Sequence, residues 1–589
     1  MKKTFKNIGS IWGNYKKVIK ILIGVDKQFL LFLFITTLIN GFIPAISVRF
    51  TQKILNAVQT VNLPVNILLG ILSAYIIFNI FTSLFAIIQQ YYTSLFQYKL
   101  DQYVNIEILE KTGKLPLKDF ENTDSYDKIQ RAKSSNKIFN YFSYLLSSVE
   151  LIVTLISYMF ILMSWKWWGV FVIIFVSIIN TILLNRVNEY RYEMLRERTG
   201  KEREKWYYHF LLTNDFAFKE IKTYNLAKYF INKYKKIYKE FLRQDKKYLK
   251  KVSGTSMISA ILEEFLSAFF LVMIIWDTYL GKILIGDSVA YINVTNNVKN
   301  TIKSLLQQFS AIYNDNLYIN QIFELLNLPD ESYYHRGTKK IGAIKEIVLK
   351  NVSYKYSGCD KYALKNISLV LNSDITVALV GANGSGKSTL VKIISGLYTD
   401  YEGEVFVNGI NLKNIDILSL RKQISILFQD YTKYELTLRE NIAIGNIKNL
   451  DDDLGIKYVL SKVQLKRGVN LNQRLGVWFD NGIQLSGGEW IKVGIGRAFF
   501  KNSSLFILDE PDASLDSVAE QEIYKQIVLL SKNKMCIFIS HHLTRIPKEV
   551  KRVVLKQGEV VGIGTHDSLL KECRTYKELY TTKNRNELE

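Results

Sequence analysis

Residues 377–394, VALVGANGSGKSTLVKII, decide the fold of the C-terminal part of the chain. The stretch begins with an apolar, β-branched run typical of a buried strand, passes through the spacing G-x-x-x-x-G-K-[ST], and continues in a helical pattern. Glycines let the backbone wrap closely around phosphate oxygens, and the free amides at the start of a helix attract an anion. The sequence therefore predicts a phosphate-binding loop between a strand and a helix.

Each residue type in this loop has a predicted role in binding ATP and Mg²⁺. Lys387 is expected to reach the β and γ phosphates, and Ser388 is expected to ligate magnesium. The other predicted nucleotide contacts of the loop are Gly381, Asn383, Gly384, Ser385, Gly386 and Thr389. A chance match of the motif would lack the preceding strand and the following helix, and this sequence has both.

A second apolar run, SLFILDEP at 504–511, ends in two adjacent acids. Asp509 at the end of the predicted strand can hold magnesium through water, and Glu510 is placed to polarise the attacking water. The alternative is an ordinary salt-bridged surface pair. A buried strand leading directly into the acids argues against that alternative.

The first half of the chain contains long apolar runs that predict a membrane domain. A chain of 589 residues with 48% hydrophobic side chains is too long for one compact domain. A bilayer crossing needs roughly 20 apolar residues in a helix, and the runs that qualify lie at 29–48, 66–88, 141–163, 168–187 and 257–276. A more polar sixth candidate lies at 283–312. Buried helices of a soluble protein are the alternative, but soluble cores do not use so many runs of this length in succession.

The charge pattern predicts the orientation of these spans. Lys and Arg are concentrated in the leader before the first span and in the two long segments after the second and fourth spans, which places those regions and both termini in the cytosol. An even number of crossings then favours the polar sixth span. The net charge of +23 suits surfaces that face anionic lipid. We expect no nucleic-acid partner, because no basic stripe lies on a recognisable binding module.

The three cysteines, Cys359, Cys536 and Cys573, have no CxxC spacing, so neither a disulfide framework nor a zinc site is indicated.

From residue 348 onward the chain resembles the nucleotide-binding domain of ABC transporters. The resemblance rests on VSYKYSG at 352–358, ISILFQD at 424–430, LSGGE at 485–489, SLD at 514–516 and FISHHLT at 538–544, in the order of the family. It implies that Tyr356 stacks on adenine, that Gln429 senses magnesium and couples to the membrane domain, and that His541 contacts the γ-phosphate. It also implies nucleotide contacts from the signature and D-loop motifs, through Ser486, Gly487, Gly488, Glu489 and Asp516.

The resemblance implies a dimer, because the family packs two ATPase domains head to tail. Ser486, Gly487 and Gly488 of one chain would then face the ATP on Lys387 of the other. We expect a homodimer, because the chain keeps the residues that unequal partners often lose, Lys387, Asp509, Glu510, Ser486 and His541. The chain departs from the usual motifs of the family at two places. Glu489 stands where glutamine is commoner, and DASLD at 512–516 stands where TSALD is commoner.

The resemblance also implies the domain organisation. We expect a six-span α-helical transmembrane domain at 1–325, a linker at 326–345, and an α/β P-loop ATPase domain of ABC type with a helical subdomain at 346–589. This order resembles exporters, located in the cytoplasmic membrane with the ATPase domain in the cytosol. Segments 115–135 and 211–230 resemble the loops whose coupling helices rest on ATPase domains; the alternative is that they are simple amphipathic cytoplasmic helices.

The cargo is suggested by the stretch before the signature, LGVWFDNGIQLSGGEW at 475–490. Its Trp478, Phe479, Gly482 and Trp490 resemble exporters of lantibiotics and related ribosomally made peptides, of the nisin and subtilin type. Because the first predicted span begins at residue 29, we expect no protease domain before it. If the cargo is a peptide, another protein would then remove its leader, and peptide-modifying enzymes are possible partners. The alternatives are a multidrug or lipid exporter of the same architecture, and a membrane-anchored regulatory ATPase.

Four charged residues within the predicted spans, Glu150, Glu263, Glu264 and Lys299, could line a polar path for a cationic peptide. Positions near the membrane interface are the alternative for the three carboxylates.

Overall fold

The computed structural model describes residues 2–60, 64–122, 125, 128–129, 136–335, 337–373, 375–465, 470–511, 517–530, 534–540 and 543–588. The chain divides into two compact units. The first contains residues 1–110 and 128–326, and the second contains residues 111–127 and 327–589. The loop at 111–127 therefore belongs with the ATPase part of the chain, whereas its flanking helices belong with the membrane part.

The first unit is built from long helices, and each of the six predicted spans lies in a separate one. The helices are Lys2–Gln59, Val65–Gly113, Asn136–Met163, Trp167–Thr213, Ala227–Tyr279 and Ile285–Leu326, with a short helix at Phe218–Thr223. A helix satisfies its own backbone amides, which is what an apolar run in lipid requires. The first helix is interrupted at Asp26, whose backbone is non-helical (φ −166°, ψ 101°). The Asp26 carboxylate accepts from the Phe29 N–H at 3.1 Å and so starts a new helical segment where the first apolar run begins.

Hydropathy supports the spans unequally. Four described helices, Gly13–Gln59, Val65–Gly113, Lys137–Met163 and Ala227–Tyr279, contain 18-residue windows with a mean hydropathy of 2.1 or 2.2. In the fourth predicted span, the described residues Trp167–Ser177 form a further apolar helical segment. The polar Ile285–Leu326 helix contributes Tyr291, Val294 and Val298 to a buried cluster shared with four other helices. Because these side chains face protein rather than lipid, the helix does not need an apolar circumference.

Polar contacts join this helix to the first one at two levels. Near one end, Gln52 and Asn56 each donate to the Asp287 carboxylate at 2.7 Å. Near the other end, the Asn14 amide donates to Asn316 at 2.9 Å and to Asn320 at 2.6 Å. Hydrogen bonds between buried side chains fix the register of two packed helices.

The second unit contains two sheets. A four-stranded antiparallel sheet has the order β2-β1-β4-β5, and a six-stranded sheet has the order β10-β9-β3-β8-β7-β6. In the larger sheet β10 is antiparallel to β9, and the neighbouring strands from β9 to β6 are parallel. The strands are β1 Glu346–Lys355, β2 Tyr362–Asn372, β3 Thr376–Gly381, β4 Glu402–Val407, β5 Ile410–Asn411, β6 Ile424–Leu427, β7 Leu505–Asp509, β8 Met535–Ile539, β9 Lys551–Lys556 and β10 Glu559–Gly564.

The second unit also contains helices. They are Leu117–Glu121, Glu331–Tyr334, Lys387–Ile394, Ile417–Lys422, Leu438–Ala443, Asp453–Lys462, Gly487–Phe500, Ser517–Leu530, His566–Glu572 and Arg574–Leu588. Alternate residues of β3 enter different cores: Ala378 and Val380 pack with the Gly487–Phe500 helix, and Val377 and Leu379 pack toward the smaller sheet. Because β3, β6, β7 and β8 are parallel, their carboxyl ends share one edge, where α/β proteins place their ligand sites.

Candidate nucleotide-binding site

The loop after β3 adopts the close backbone approach that its glycines predict. Gly386 has φ +103°, and an added Cβ would lie 2.6 Å from Leu364 Cδ2 and 2.7 Å from the Ala363 carbonyl oxygen. A Cβ on Gly381 would lie 2.3 Å from the Leu555 carbonyl oxygen. Glycine is therefore the residue that fits at both ends of the loop.

The interior of the loop offers groups that suit a phosphate. The Lys387 ammonium is buried and donates to the carbonyls of Gly381 and Ala382, each at 3.0 Å. The Ser385 hydroxyl is buried and has no hydrogen-bond partner within the described part of the chain. Buried polar atoms are nearly always hydrogen-bonded, so a phosphate oxygen is a chemically suitable partner for Ser385.

The end of β7 offers a matching place for a divalent cation. Asp509 is buried, the Ser388 hydroxyl is hydrogen-bonded to its carboxyl group, and its Oδ1 has no hydrogen-bond partner among the described residues. Burial raises the pKa of Asp509 to about 6, and the negative charges of Glu510 and Asp430 add to the effect, while the Ser388 hydrogen bond and Lys387 oppose it. A carboxylate oxygen without a partner beside a hydroxyl fits Mg²⁺, which binds one or two carboxylates together with substrate phosphates and water.

Glu510 lies at the same edge and is held in an uncommon conformation. Its φ is +51°, a left-handed value that is rare outside glycine, and its N–H donates to the Ile539 carbonyl at 3.1 Å. The Gln429 amide donates from Nε2 to Glu510 Oε2 at 2.7 Å. The structure thus brings Gln429 together with Glu510, next to Asp509. Two other predicted residues, Asp516 and His541, lie outside the described residues.

Tyr356 lies beside the P-loop helix, Lys387–Ile394. Its hydroxyl is 3.0 Å from the Thr389 hydroxyl, so Thr389 is bonded to the tyrosine rather than directed to the loop. The Tyr356 ring forms T-shaped contacts with the rings of Tyr354 and Tyr398, and the distances between ring centroids are 5.3 and 5.9 Å. Tyr354 and Tyr398 are themselves stacked at 4.8 Å.

Sequence reasoning missed a contact between this tyrosine cluster and the loop at 111–127. The Tyr398 hydroxyl donates to the Glu121 carboxylate at 2.8 and 2.9 Å, and the Lys392 ammonium donates to it at 3.1 Å. Glu121 ends the short helix Leu117–Glu121. The only available signal was the position of Glu121 inside the predicted loop 115–135, because residues 121 and 398 are too far apart in sequence for a local pattern.

The signature motif forms the start of a helix, as its sequence predicts. Ser486 is the N-cap of the Gly487–Phe500 helix, which has Gly487 and Gly488 in its first turn, and Ser486 forms a capping box with Glu489. The Glu489 carboxylate accepts from both the N–H and the hydroxyl of Ser486 at 2.9 Å. The commoner glutamine could form the same cap without charge, so Glu489 adds a negative charge at a helix N-terminus, where the backbone amides favour anions.

The aromatic residues on the two sides of the signature differ in their environment. Trp490, directly after the signature, is buried in a hydrophobic core, whereas Trp478 is 74% exposed and Phe479 is 48% exposed. The Trp478 N–H donates to the Glu435 carboxylate at 2.6 Å, and the Arg474 guanidinium lies 4.4 Å from the Phe479 ring centroid. An added Cβ on Gly482 would lie 2.3 Å from the Gly476 carbonyl oxygen. The two exposed aromatic side chains are thus held on an ordered turn.

The ATPase part matches a known family, and the whole chain matches transport proteins. The ABC transporter family model matches residues 364–513. The subtilin transport ATP-binding protein SpaT of Bacillus subtilis is 37% identical over 98% of this chain and 95% of its own length. The nisin transport ATP-binding protein NisT of Lactococcus lactis subsp. lactis is 35% identical over 95% of this chain and 95% of its own length.

The fold is also that of a solved exporter. A bacterial Atm1-family ABC exporter with ATP bound superposes with a TM-score of 0.82 over 95% of this chain and 98% of its own, at 18% identity. This likeness confirms the predicted fold class, a helical transmembrane domain followed by an α/β ATPase domain. The chain therefore belongs to the ABC transporters, as a multi-pass membrane protein whose cytosolic ATPase domain couples ATP hydrolysis to transport.

Proposed function

We propose that this transporter exports a ribosomally synthesised, lantibiotic-like peptide across the cytoplasmic membrane as a homodimer with alternating access. The similarity to SpaT and NisT carries the cargo proposal, because it extends over the membrane part as well as the ATPase part. The membrane part is where a cargo would be bound, so similarity limited to the ATPase domain would not support a cargo.

The residues at the edge of the larger sheet support binding of ATP with Mg²⁺. Lys387, Ser385 and the amides of the P-loop helix would hold the phosphates. Asp509 and Ser388 would hold Mg²⁺, which when bound neutralises charge on the phosphates. Gln429 donates from its nitrogen to Glu510, which leaves its amide oxygen free to face the cation.

Glu510 is the group we assign to orienting and polarising the attacking water. Its backbone bond to Ile539 fixes it at the end of β7, one residue after Asp509. Its carboxylate accepts from Gln429, so a change in the position of Gln429 is transmitted to the group that holds the water. In the proposed dimer, Ser486, Gly487 and Gly488 of the partner would complete the site, with Asp516 and His541 in the family roles given above.

We further propose that the Glu121 contact carries motion between the nucleotide site and the loop at 111–127. Glu121 is bonded to Tyr398 and Lys392, and Tyr398 touches Tyr356. The same loop is tied to the start of the ATPase unit, because the Glu331 N–H donates to the Lys114 carbonyl at 2.7 Å. A shift of the P-loop helix would therefore pull on the short helix Leu117–Glu121.

Tyr398→Phe tests this coupling. We expect cargo-stimulated ATP hydrolysis to fall about tenfold or more, because a hydrogen bond to a charged group contributes about 1.5–3 kcal/mol. Basal hydrolysis should stay within about twofold. Tyr401→Phe is the matched control, because the buried Tyr401 hydroxyl has no partner within the described residues. Equal stimulation in wild type and Tyr398→Phe would exclude the proposed coupling.

Glu489→Gln tests the charge in the signature motif. If Ser486 faces ATP on a partner chain, a carboxylate about 8 Å from a phosphate opposes binding by roughly 1 kcal/mol at an effective dielectric constant of about 40. We expect the KM for ATP to fall about fivefold. Glu440→Gln is the control, because Glu440 forms the same capping box with Thr437 on another helix. A KM that changes equally in both variants, or in neither, would argue against the role of this charge.

Uptake of cargo into inside-out vesicles tests the function as a whole. ATP-driven accumulation of a leader-bearing precursor peptide, absent with Glu510→Gln, is the expected result. Accumulation of a hydrophobic dye without peptide would instead indicate the multidrug or lipid exporter. Hydrolysis without movement of either would favour a regulatory ATPase.

A further inference from the structure

A small cavity lies inside the membrane unit, between the Trp167–Thr213, Ala227–Tyr279 and Ile285–Leu326 helices. Its volume is about 80 Å³. This is enough for several water molecules or for the end of one side chain. Its main polar lining residues are Asn180, Ser256, Ser259, Glu263, Lys299 and Lys303.

The centre of the cavity wall is the contact between Glu263 and Asn180. The Asn180 amide nitrogen donates to Glu263 Oε1 at 3.0 Å. This contact places the amide nitrogen of Asn180 on the side of Glu263. The Asn180 carbonyl oxygen therefore points away from Glu263 and needs a donor of its own.

Two buried oxygen atoms of this wall lack that donor. Asn180 is 6% exposed and Ser259 is 7% exposed, and neither Asn180 Oδ1 nor Ser259 Oγ has a hydrogen-bond partner among the described residues. Buried polar atoms in proteins are almost always satisfied. Two unsatisfied atoms that line the same cavity as a carboxylate indicate a place for a hydrogen-bond donor.

One carboxylate and two ammonium groups line the cavity, those of Glu263, Lys299 and Lys303. The Lys299 ammonium is paired with Glu264 at 3.2 Å and contacts the Ser267 hydroxyl at 3.1 Å. Lys303 also lines the cavity and has an exposed side chain. Glu150 lies on the Asn136–Met163 helix, outside the three helices that line the cavity. The carboxylate of Glu263 is thus the acidic group that faces the unsatisfied oxygens.

We propose that this cavity binds a primary ammonium group, with Glu263 as the counter-ion and Asn180 Oδ1 and Ser259 Oγ as acceptors. An ammonium has three N–H donors, which matches these three acceptors. The volume admits only the head of a side chain, so the site takes one lysine ammonium or an N-terminal amine. That this amine belongs to an exported peptide rests on the proposed function; the site itself does not.

Binding of dansylcadaverine, a fluorescent primary alkylammonium, tests the site directly. The full-length transporter in lipid nanodiscs is titrated without nucleotide, with the N-acetylated, uncharged probe in parallel. We expect Glu263→Gln to raise the Kd of the charged probe at least tenfold, to that of the acetylated probe, and Ser259→Ala to raise it about threefold. Glu107→Gln, the same substitution at an exposed position of the Val65–Gly113 helix outside the cavity, should retain the wild-type Kd.

Several results of this titration would overturn the site: no saturable binding of the charged probe, equal binding of the two probes, or equal weakening by Glu263→Gln and Glu107→Gln. Peptide uptake separates this inference from the proposed function. If peptide moves with the same KM before and after acetylation of its amines, the cavity does not bind the amine of the peptide, and peptide export stands. If the probe binds through Glu263 but no peptide is transported, the site stands and the cargo proposal fails.

Discussion

Replacing Glu510 with glutamine is expected to lower ATP hydrolysis by about 10²- to 10⁴-fold, the range by which a positioned general base contributes to catalysis. The amide keeps the size of the side chain but cannot polarise the attacking water as a carboxylate does. Transport should be lost together with hydrolysis. ATP binding should persist, because the phosphate-binding groups of the P-loop and the Asp509 carboxylate remain.

The measurement is the rate of phosphate release by purified transporter in lipid, with ATP affinity determined separately. Glu559→Gln is the matched control, because Glu559 is exposed at the start of β10. Hydrolysis within tenfold of wild type would show that another group positions the water. A parallel loss of ATP affinity would show instead that Glu510 supports the structure of the site.

The candidate site at the edge of the larger sheet could be predicted from sequence, because each of its elements is encoded by residues that are close together in the chain. The strand, loop and helix around Lys387 are encoded in 18 consecutive residues, and the apolar run before Asp509 places that carboxylate at a strand end. Motifs of this kind specify backbone conformation and side-chain type together. The family and the fold class followed from them, and both are confirmed.

Contacts between distant residues could not be predicted in the same way. Glu121 meets Tyr398 across 277 positions, and Asn180 meets Glu263 across 83. Neither pair has a spacing that repeats or a pattern that marks it, since the pairing depends on how the elements pack. The even number of crossings predicts the polar sixth span, but its burial against other helices depends on packing that its own composition does not encode.

Replacing Lys387 with alanine is expected to weaken ATP binding by about 10- to 100-fold. The ammonium is 6% exposed and lies against the loop carbonyls, so no other described group of the P-loop supplies a buried positive charge there. Hydrogen bonds between charged partners contribute about 1.5–3 kcal/mol, which corresponds to that change in affinity. Calorimetry or a fluorescent ATP analogue measures the Kd in the presence of Mg²⁺.

Lys392→Ala separates a specific role from a general charge effect. Lys392 lies on the same helix, but its ammonium contacts Glu121 and the Tyr398 hydroxyl rather than the carbonyls of the glycine loop. We expect its removal to leave the ATP affinity within about twofold of wild type and to impair coupling, as Tyr398→Phe does. If both lysine variants weaken ATP binding equally, the helix attracts nucleotide through the combined charge of its lysines. The buried position of Lys387 would then not determine the ATP affinity. If only Lys387→Ala does so, the close fit of its ammonium inside the glycine loop is what binds the phosphates.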